Sequence, residues 1–510
     1  MKVLKNLLFS RITYLSLAIV TQFVALILFI IKFTDFYSYF YAFSIILSVI
    51  IVLKIVNNNS NPAYKIAWII PILVFPIFGG IFYLFFGTTR FSKRIKKRMV
   101  HYIEDELSTY LDDNNHVLDE LKDENLLAGI QSHFIYEYAH YPVYKNTYTK
   151  YFHNGETKFT FLKEAIESAE HFIFLEYFII KEGHMWDEIL KILVEKAKSG
   201  VDVRVIYDDV GCLNKLPYRY HKRLRRMGIK CEVFNPFFPI LSPWYNHRDH
   251  RKIAVVDGHT GFTGGINLSD EYINKHSRFG HWKDSAIMLK GEGVWNLTVM
   301  FLSMWNYLTG KTEDMNQFRS NKAMDIKSDG YVQPFADSPL DGEPIGEAIY
   351  LNLINKAKKY VYICTPYLII DNEMITALTL AAKGGIDVRI ITPYHPDKRY
   401  VHEVTRSYYE QLLEAGVKIF EYTPGFIHSK TFVVDDEYGV VGTINLDFRS
   451  LYLHFECGVW LYQCESIKEL KEDFLKTMDV SKEILLREYR KIPWYRTLIR
   501  FILRVFSPLM

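Results

Sequence analysis

The sequence predicts an α/β protein built from two repeated domains. Each domain should hold a mixed, mostly parallel sheet flanked by helices, and a pseudo-two-fold axis should relate the pair. N-terminal transmembrane helices should precede them. Three observations carry this prediction: apolar runs of spanning length near the N-terminus, an internal repeat from about residue 150 onward, and strand–helix–strand alternation within each copy.

The 510 residues are enough for more than one domain, and 23% charged with 16% aromatic residues is not a disordered composition. A net charge of +3 makes no case for a nucleic-acid partner. The five cysteines, Cys212, Cys231, Cys364, Cys457 and Cys464, form no C-x-x-C pair. That argues against a disulfide framework and against a zinc site, and it fits a reducing compartment.

Residues 1–88 read as a membrane anchor of two or three spans. Runs 12–33, 36–56 and 66–86 are apolar apart from Lys32 and Lys54 near the ends of the first two. Each run is about 20 residues, the length that crosses a hydrocarbon core. The first is not read as a signal peptide, because no small-residue cleavage site follows it and further runs do. Pro71, Pro76, Gly79 and Gly80 would break a soluble helix, but neighbouring helices in a membrane re-satisfy the freed backbone.

A basic cluster follows: Arg90, Lys93, Arg94, Lys96, Lys97 and Arg98. Its place beside a span puts the C-terminal bulk in the cytoplasm. Lys2, Lys5 and Arg11 ask for the same side, and three full crossings cannot satisfy both ends. Residues 89–150 read as a basic juxtamembrane helical linker.

The repeat defines the remaining boundaries: a first domain over 151–325 and a second over 326–490. AKSGVDVRVIYDD (197–209) matches AKGGIDVRIITPY (382–394), and HRKIAVVDG (250–258) matches HSKTFVVDD (428–436). Residues 172–178 read as a buried strand and 186–197 as a helix ended by Gly200. Residues 201–207 read as the next strand. That is a βαβ unit, and ligand sites in such sheets form at the carboxyl ends of strands. The cleft between the two halves is the expected site.

Each half carries H-x-K-x4-D: His250, Lys252 and Asp257, then His428, Lys430 and Asp435. Each is followed at the same distance by Gly-x-x-Asn, which supplies Asn267 and Asn445. In an extended strand, residues two apart point to one face, so each histidine stands beside its lysine. Two histidines, two lysines and two asparagine amides around one point suit a phosphate.

These residues resemble the phospholipase D superfamily, whose signature is the paired H-x-K-x4-D motif. At closer range the segments 246–272, 281–284 (HWKD), 425–450 and 455–456 (FE) resemble bacterial cardiolipin synthases. So do EYF (176–178), YDDVG (207–211), TPYL (365–368) and the last apolar segment, 62–87. Most such enzymes have two N-terminal spans, and this chain shows three runs. His454 stands where asparagine is common.

The resemblance implies two phospholipase D-type domains at a bacterial cell membrane. It also implies phosphatidyl transfer between two phosphatidylglycerols, giving cardiolipin and glycerol through a covalent phosphohistidine. No metal or other cofactor is implied, and the partner is a phospholipid membrane. His250 is the expected nucleophile and His428 the expected acid/base. A hydrolase or nuclease would share the fold. A non-catalytic scaffold would be expected to lose a motif residue, and none is missing.

A nucleophilic imidazole needs its far nitrogen protonated and held. Asp284, for His250, and Glu456, for His428, are the expected partners, each about 30 residues beyond its histidine within the same half. Asp257 and Asp435 are expected to fix turns. His247, His259, His276 and His281 read as surface or turn residues, and Asp208–Asp209 as capping residues.

Residues 491–510 read as an amphipathic C-terminal helix. Arg496, Arg500 and Arg504 share one face, and Leu498, Ile499, Ile502, Leu503 and Phe506 lie opposite. Trp494 and Tyr495 stand at its start. The expectation is a helix lying in the headgroup layer, its apolar side dipped into the acyl boundary, which docks the catalytic cleft flat on the cytoplasmic leaflet. Packing on the second domain is the alternative.

Overall fold

The computed structural model describes residues 37–75, 79–80, 82–84, 87, 93–111, 115–238, 243–320, 326, 330–340 and 342–509, with isolated positions between 17 and 32. Most of the first apolar run and Arg90 lie outside the described residues. The second run forms the helix Tyr37–Val56. The third begins as Pro62–Val74, capped by the Asn61 side chain and continued through Pro71. Among the described residues no helix is long and apolar enough to cross a membrane. Ile51 and Ile55 pack on Trp68 and Ile72, while Phe43, Ile46, Ile50 and Leu53 stand exposed.

Among its described residues the linker is helical over Lys93–Tyr110, Asn115–Glu124 and Leu126–Ala139, with the Asn125 side chain capping the last of these. It is no loose tether. Met99, Ile103, Leu107 and Ile135 are buried in the largest hydrophobic core of the molecule.

The first sheet contains β1 (Thr147–Phe152), β2 (Phe172–Tyr177), β3 (Asp202–Asp208), β4 (Lys230–Phe234), β5 (Lys252–Val256) and β6 (Thr260–Gly264). After the short β7 (His281–Lys283) it closes with β8 (Ala286–Gly291). Its strand order is β1-β8-β6-β5-β2-β3-β4. The second half runs through β9 (Tyr331–Asp337), β10 (Tyr360–Cys364), β11 (Leu368–Ile369), β12 (Asp387–Pro393), β13 (Lys418–Tyr422) and β14 (Gly425–Ile427). It continues with β15 (Thr431–Val434), β16 (Tyr438–Gly442), β17 (Leu446–Asp447), β18 (Glu456–Tyr462) and β19 (Ser481–Glu483). The order β8-β6-β5-β2-β3-β4 recurs there as β18-β16-β15-β10-β12-β13, so the repeat in sequence is a repeat in topology.

The sheets are mixed, but they are not mostly parallel. Only β2–β3, β3–β4, β10–β12 and β12–β13 pair in parallel, and these are the βαβ crossovers. The other pairs in both sheets are antiparallel. The cause is local: the motif strand β5 turns at Asp257–Gly258 straight into β6, and a tight turn can join only antiparallel strands.

The helix Val294–Thr309 is buried along Val294 to Asn306, as its apolar sequence on every side requires. It touches strands of both sheets. Two short pairings also cross between the halves: β7 runs parallel to β14, and Asp249 bridges Phe455. These crossings set the positions of the motif residues.

Candidate active site

The backbone places each histidine against the other half. His250 donates its N–H to the Phe455 carbonyl at 2.9 Å, and Phe455 returns its own N–H to Arg248 at 2.9 Å. His428 donates its N–H to the Lys283 carbonyl at 2.7 Å. The residues after Phe455 and Lys283 are Glu456 and Asp284. Each carboxylate is therefore delivered to the histidine of the opposite half.

His250 Nδ1 lies 2.8 Å from both Glu456 oxygens, and His428 Nδ1 lies 2.7 Å from Asp284 Oδ2. This reverses the pairing expected within each half. Both carboxylates are wholly buried. A carboxylate is acceptor-only, so Nδ1 carries the proton and Nε2 keeps its lone pair for chemistry.

Burial favours the neutral imidazole strongly. It pushes His250 down to about 3 and His428 to about 4, against the pull of the paired carboxylates. Burial opposes ionisation of Glu456 and Asp284 too. The imidazole and lysine beside each nevertheless hold both below the usual carboxylate range.

Lys252 and Lys430 are buried, and each donates from Nζ to the carbonyl of its own motif histidine. Burial lowers Lys252 to about 8 and Lys430 to about 7. Each lysine interacts electrostatically with both Asp284 and Glu456, so the motifs of the two halves converge on one point.

The asparagines differ from each other. Asn267 accepts from the Ile179 N–H at 2.9 Å and donates to Tyr272 Oη at 2.7 Å. Tyr272 in turn packs 5.7 Å from the His428 ring. One amide hydrogen of Asn267 thus holds a wall of the site. Asn445 is buried, and its Oδ1 has no hydrogen-bond partner among the described residues.

Asp257 and Asp435 do not face the cleft chemistry. Asp257 accepts the N–H groups of Glu170, His171 and Phe172, each at 2.8 Å. Asp435 accepts those of Lys358, Lys359 and Tyr360, at 2.6–2.9 Å. Each clamps the turn after a motif strand to the start of β2 or β10.

The family model described as "Cardiolipin synthase, PLD-like domain" matches the chain twice, at residues 162–290 and 350–478. The chain belongs to this family. A second model, "Phospholipase D-nuclease N-terminal", matches residues 45–87. A cardiolipin synthase of Halalkalibacterium halodurans is 37% identical over 89% of this chain and 90% of its own length. One of Alkalihalophilus pseudofirmus is equally similar, at 37% over 89% and 90%. An uncharacterized protein of Streptococcus mutans is 44% identical over 90% of this chain and 99% of its own length. Among solved structures, phosphatidylserine synthase of Haemophilus influenzae superposes with a TM-score of 0.54, at 15% identity, over 71% of this chain and 93% of that one. That likeness shows a shared fold.

Within this cardiolipin synthase-type site, several residues escaped the sequence reading. His454 is the main one. Its ring packs 5.6 Å from that of His250, and its Nδ1 lies 3.6 Å from Glu456. His250, His454 and Glu456 are also the one group among the described residues with a metal-like donor arrangement. The Glu456 carboxylate in it is already engaged by the His250 Nδ1–H, which fits an orienting pair better than a metal centre.

Phe178 packs 5.0 Å from His250, and Trp282 packs 5.5 Å from His428. Both lie in segments singled out by resemblance, and that was their only signal. Lys158 had none. It is buried behind Asp284, bonded to Tyr177 Oη at 2.9 Å, and lowered to about 7 by burial. His247 is not a surface residue: it is buried and reaches the Leu453 carbonyl across the halves at 3.0 Å. His281 contacts Tyr422 Oη at 2.9 Å. Asp208 caps the Gly211 N–H and also grips the buried Arg248. Asp209 accepts the Phe237 N–H at 2.7 Å.

Proposed function

We propose that this chain is a membrane-anchored cardiolipin synthase, joining two phosphatidylglycerols into cardiolipin and glycerol. The observation that carries the reading is the pair of neutral imidazoles, each held at Nδ1 by a buried carboxylate of the opposite half, beside two buried lysines. The names of the family and of its relatives supply the substrate class.

His250 Nε2 attacks the phosphorus of one phosphatidylglycerol. The new N–P bond forms as the P–O bond to glycerol breaks, and His428 gives its proton to the departing oxygen. His428 must first gain that proton. The bound phosphodiester anion raises its affinity for one, offsetting burial. A hydroxyl of the second phosphatidylglycerol then loses its proton to His428 and attacks phosphorus, and the N–P bond breaks. The lysines hold the phosphoryl oxygens, so positive charge is supplied without a metal ion. Glu456 offers both oxygens to His250, which suits that histidine to the nucleophilic role.

The same reading makes the enzyme a multi-pass membrane protein with cytoplasmic catalytic halves. Support comes from three apolar runs, the basic cluster beside them and the exposed apolar faces of the two N-terminal helices. A cavity of about 470 Å³ extends from His454 to Asn61 and Pro62 at the start of the second of those helices.

Purified protein reconstituted with labelled phosphatidylglycerol tests the proposal. Cardiolipin and free glycerol should form in equal amounts. Phosphatidic acid as the main product would make the chain a hydrolase.

A further inference from the structure

The C-terminal helix Trp494–Val505 is packed with its charged side inward. Arg500 is 3% exposed, donates to Glu403 at 2.7 Å and reaches Tyr489 Oη at 2.9 Å. Arg504 lies over the Tyr408 ring at 4.5 Å and contacts the Ser407 carbonyl and Gln411. Arg496 is exposed and comes within 3.9 Å of Glu403. These partners lie on or near the helix Arg399–Ser407 of the second half.

The apolar side faces out. Trp494, Leu498, Ile499, Phe501 and Ile502 are all exposed, Phe501 at 63%. A helix on a soluble protein does the reverse. The outward face is also continuous with the anchor. Leu509, just beyond the helix, packs on the Ile51, Ile55, Trp68 and Ile72 cluster between the two N-terminal helices. Those helices expose Ile50, Leu53, Ile66 and Leu73 in turn.

We infer that the C-terminal helix is a second membrane contact, seated in the acyl boundary of the bilayer by its apolar face while its arginines weld it to the catalytic body. This rests on the membrane reading above and keeps the expected seat of the apolar side; what changes is that Arg500 and Arg504 bond to the protein instead of to lipid headgroups. Arg500 and Arg504 are engaged by Glu403, Tyr489, Gln411 and the Ser407 carbonyl, so the contact with lipid is made by hydrocarbon and not by charge. Two attachments, one at the anchor and one at the far end of the chain, fix the tilt of the cleft over the lipid surface.

The full chain in nanodiscs of phosphatidylglycerol and phosphatidylcholine tests this directly. The native cysteines are buried and unpaired, so a spin label on Phe501→Cys reports that position. The label should be open to dissolved oxygen and shielded from a water-soluble nickel chelate, equally at about 0.1 M and about 1 M salt. A label open to the nickel chelate would overturn the proposal, as would one shielded from both reagents, which would place a second copy on the helix. As a second measure, Phe501→Asp with Ile502→Asp should lower turnover on bilayers about ten-fold and leave a short-chain soluble substrate unaffected. Equal loss on both substrates would also overturn it. The label needs no turnover, so its outcome stands apart from the identity of the reaction.

Discussion

A histidine attacks phosphorus only when its far nitrogen is protonated and pinned. In this chain the pins are Glu456 for His250 and Asp284 for His428. Replacing Glu456 with Gln keeps the shape and removes the acceptor that selects the tautomer. Turnover should fall about 10²–10⁴-fold, by analogy with triad carboxylates. The downfield Nδ1–H proton resonance of His250 should vanish in that variant while that of His428 remains. Loss of the His428 signal instead would restore the pairing within each half.

The lysines set a second expectation. As pH rises past about 7 for Lys430 and about 8 for Lys252, each loses the proton that lets it hold an anionic phosphodiester. In the free enzyme kcat/KM should therefore decline on the alkaline side through that window. The depressed histidines leave Nε2 unprotonated down to about 4 at His428. A profile flat to about pH 10, near the ordinary lysine value, would show that the lysines keep their charge by another route.

At the scale of the element, each motif does two jobs at the two ends of one short strand. The histidine and lysine serve the cleft, and the aspartate closes the strand at positive φ, 49° for Asp257 and 56° for Asp435. Each aspartate accepts three backbone N–H groups. Asp257→Asn should cost about 1–3 kcal/mol of stability through lost charge-assisted hydrogen bonds. Thermal melting in detergent should show that loss, while turnover per folded molecule at low temperature stays near that of the parent. A folded but inactive variant would place the carboxylate in the chemistry.

At the scale of the whole molecule, one chain supplies both histidines and both carboxylates. His250→Ala and His428→Ala should each lose several orders of magnitude of turnover, as members of a coupled catalytic unit do. Because each imidazole is pinned by the other half of its own chain, mixing the two variants in one bilayer should restore nothing. Recovered activity would mean that functional sites form between chains.

The repeat, the paired motifs and the residue types of the site are legible in the sequence alone. A duplicated spacing of H-x-K-x4-D with Gly-x-x-Asn reports a duplicated strand and turn. The clamp role of Asp257 and Asp435 follows from their place at strand ends, and the segments of resemblance contain Phe178, Trp282, Asp284 and Glu456. What the sequence could not report is which groups meet. His250 and Glu456 are 206 residues apart and His428 and Asp284 are 144 apart, joined by strand pairings between halves that no local spacing encodes. Depressed histidine and lysine pKa values come from burial, which exists only after the halves dock. The C-terminal helix shows the same limit. Periodicity separates its two faces, but only docking against the helix Arg399–Ser407, about 100 residues upstream, decided that Arg500 and Arg504 turn inward and the hydrocarbon faces out.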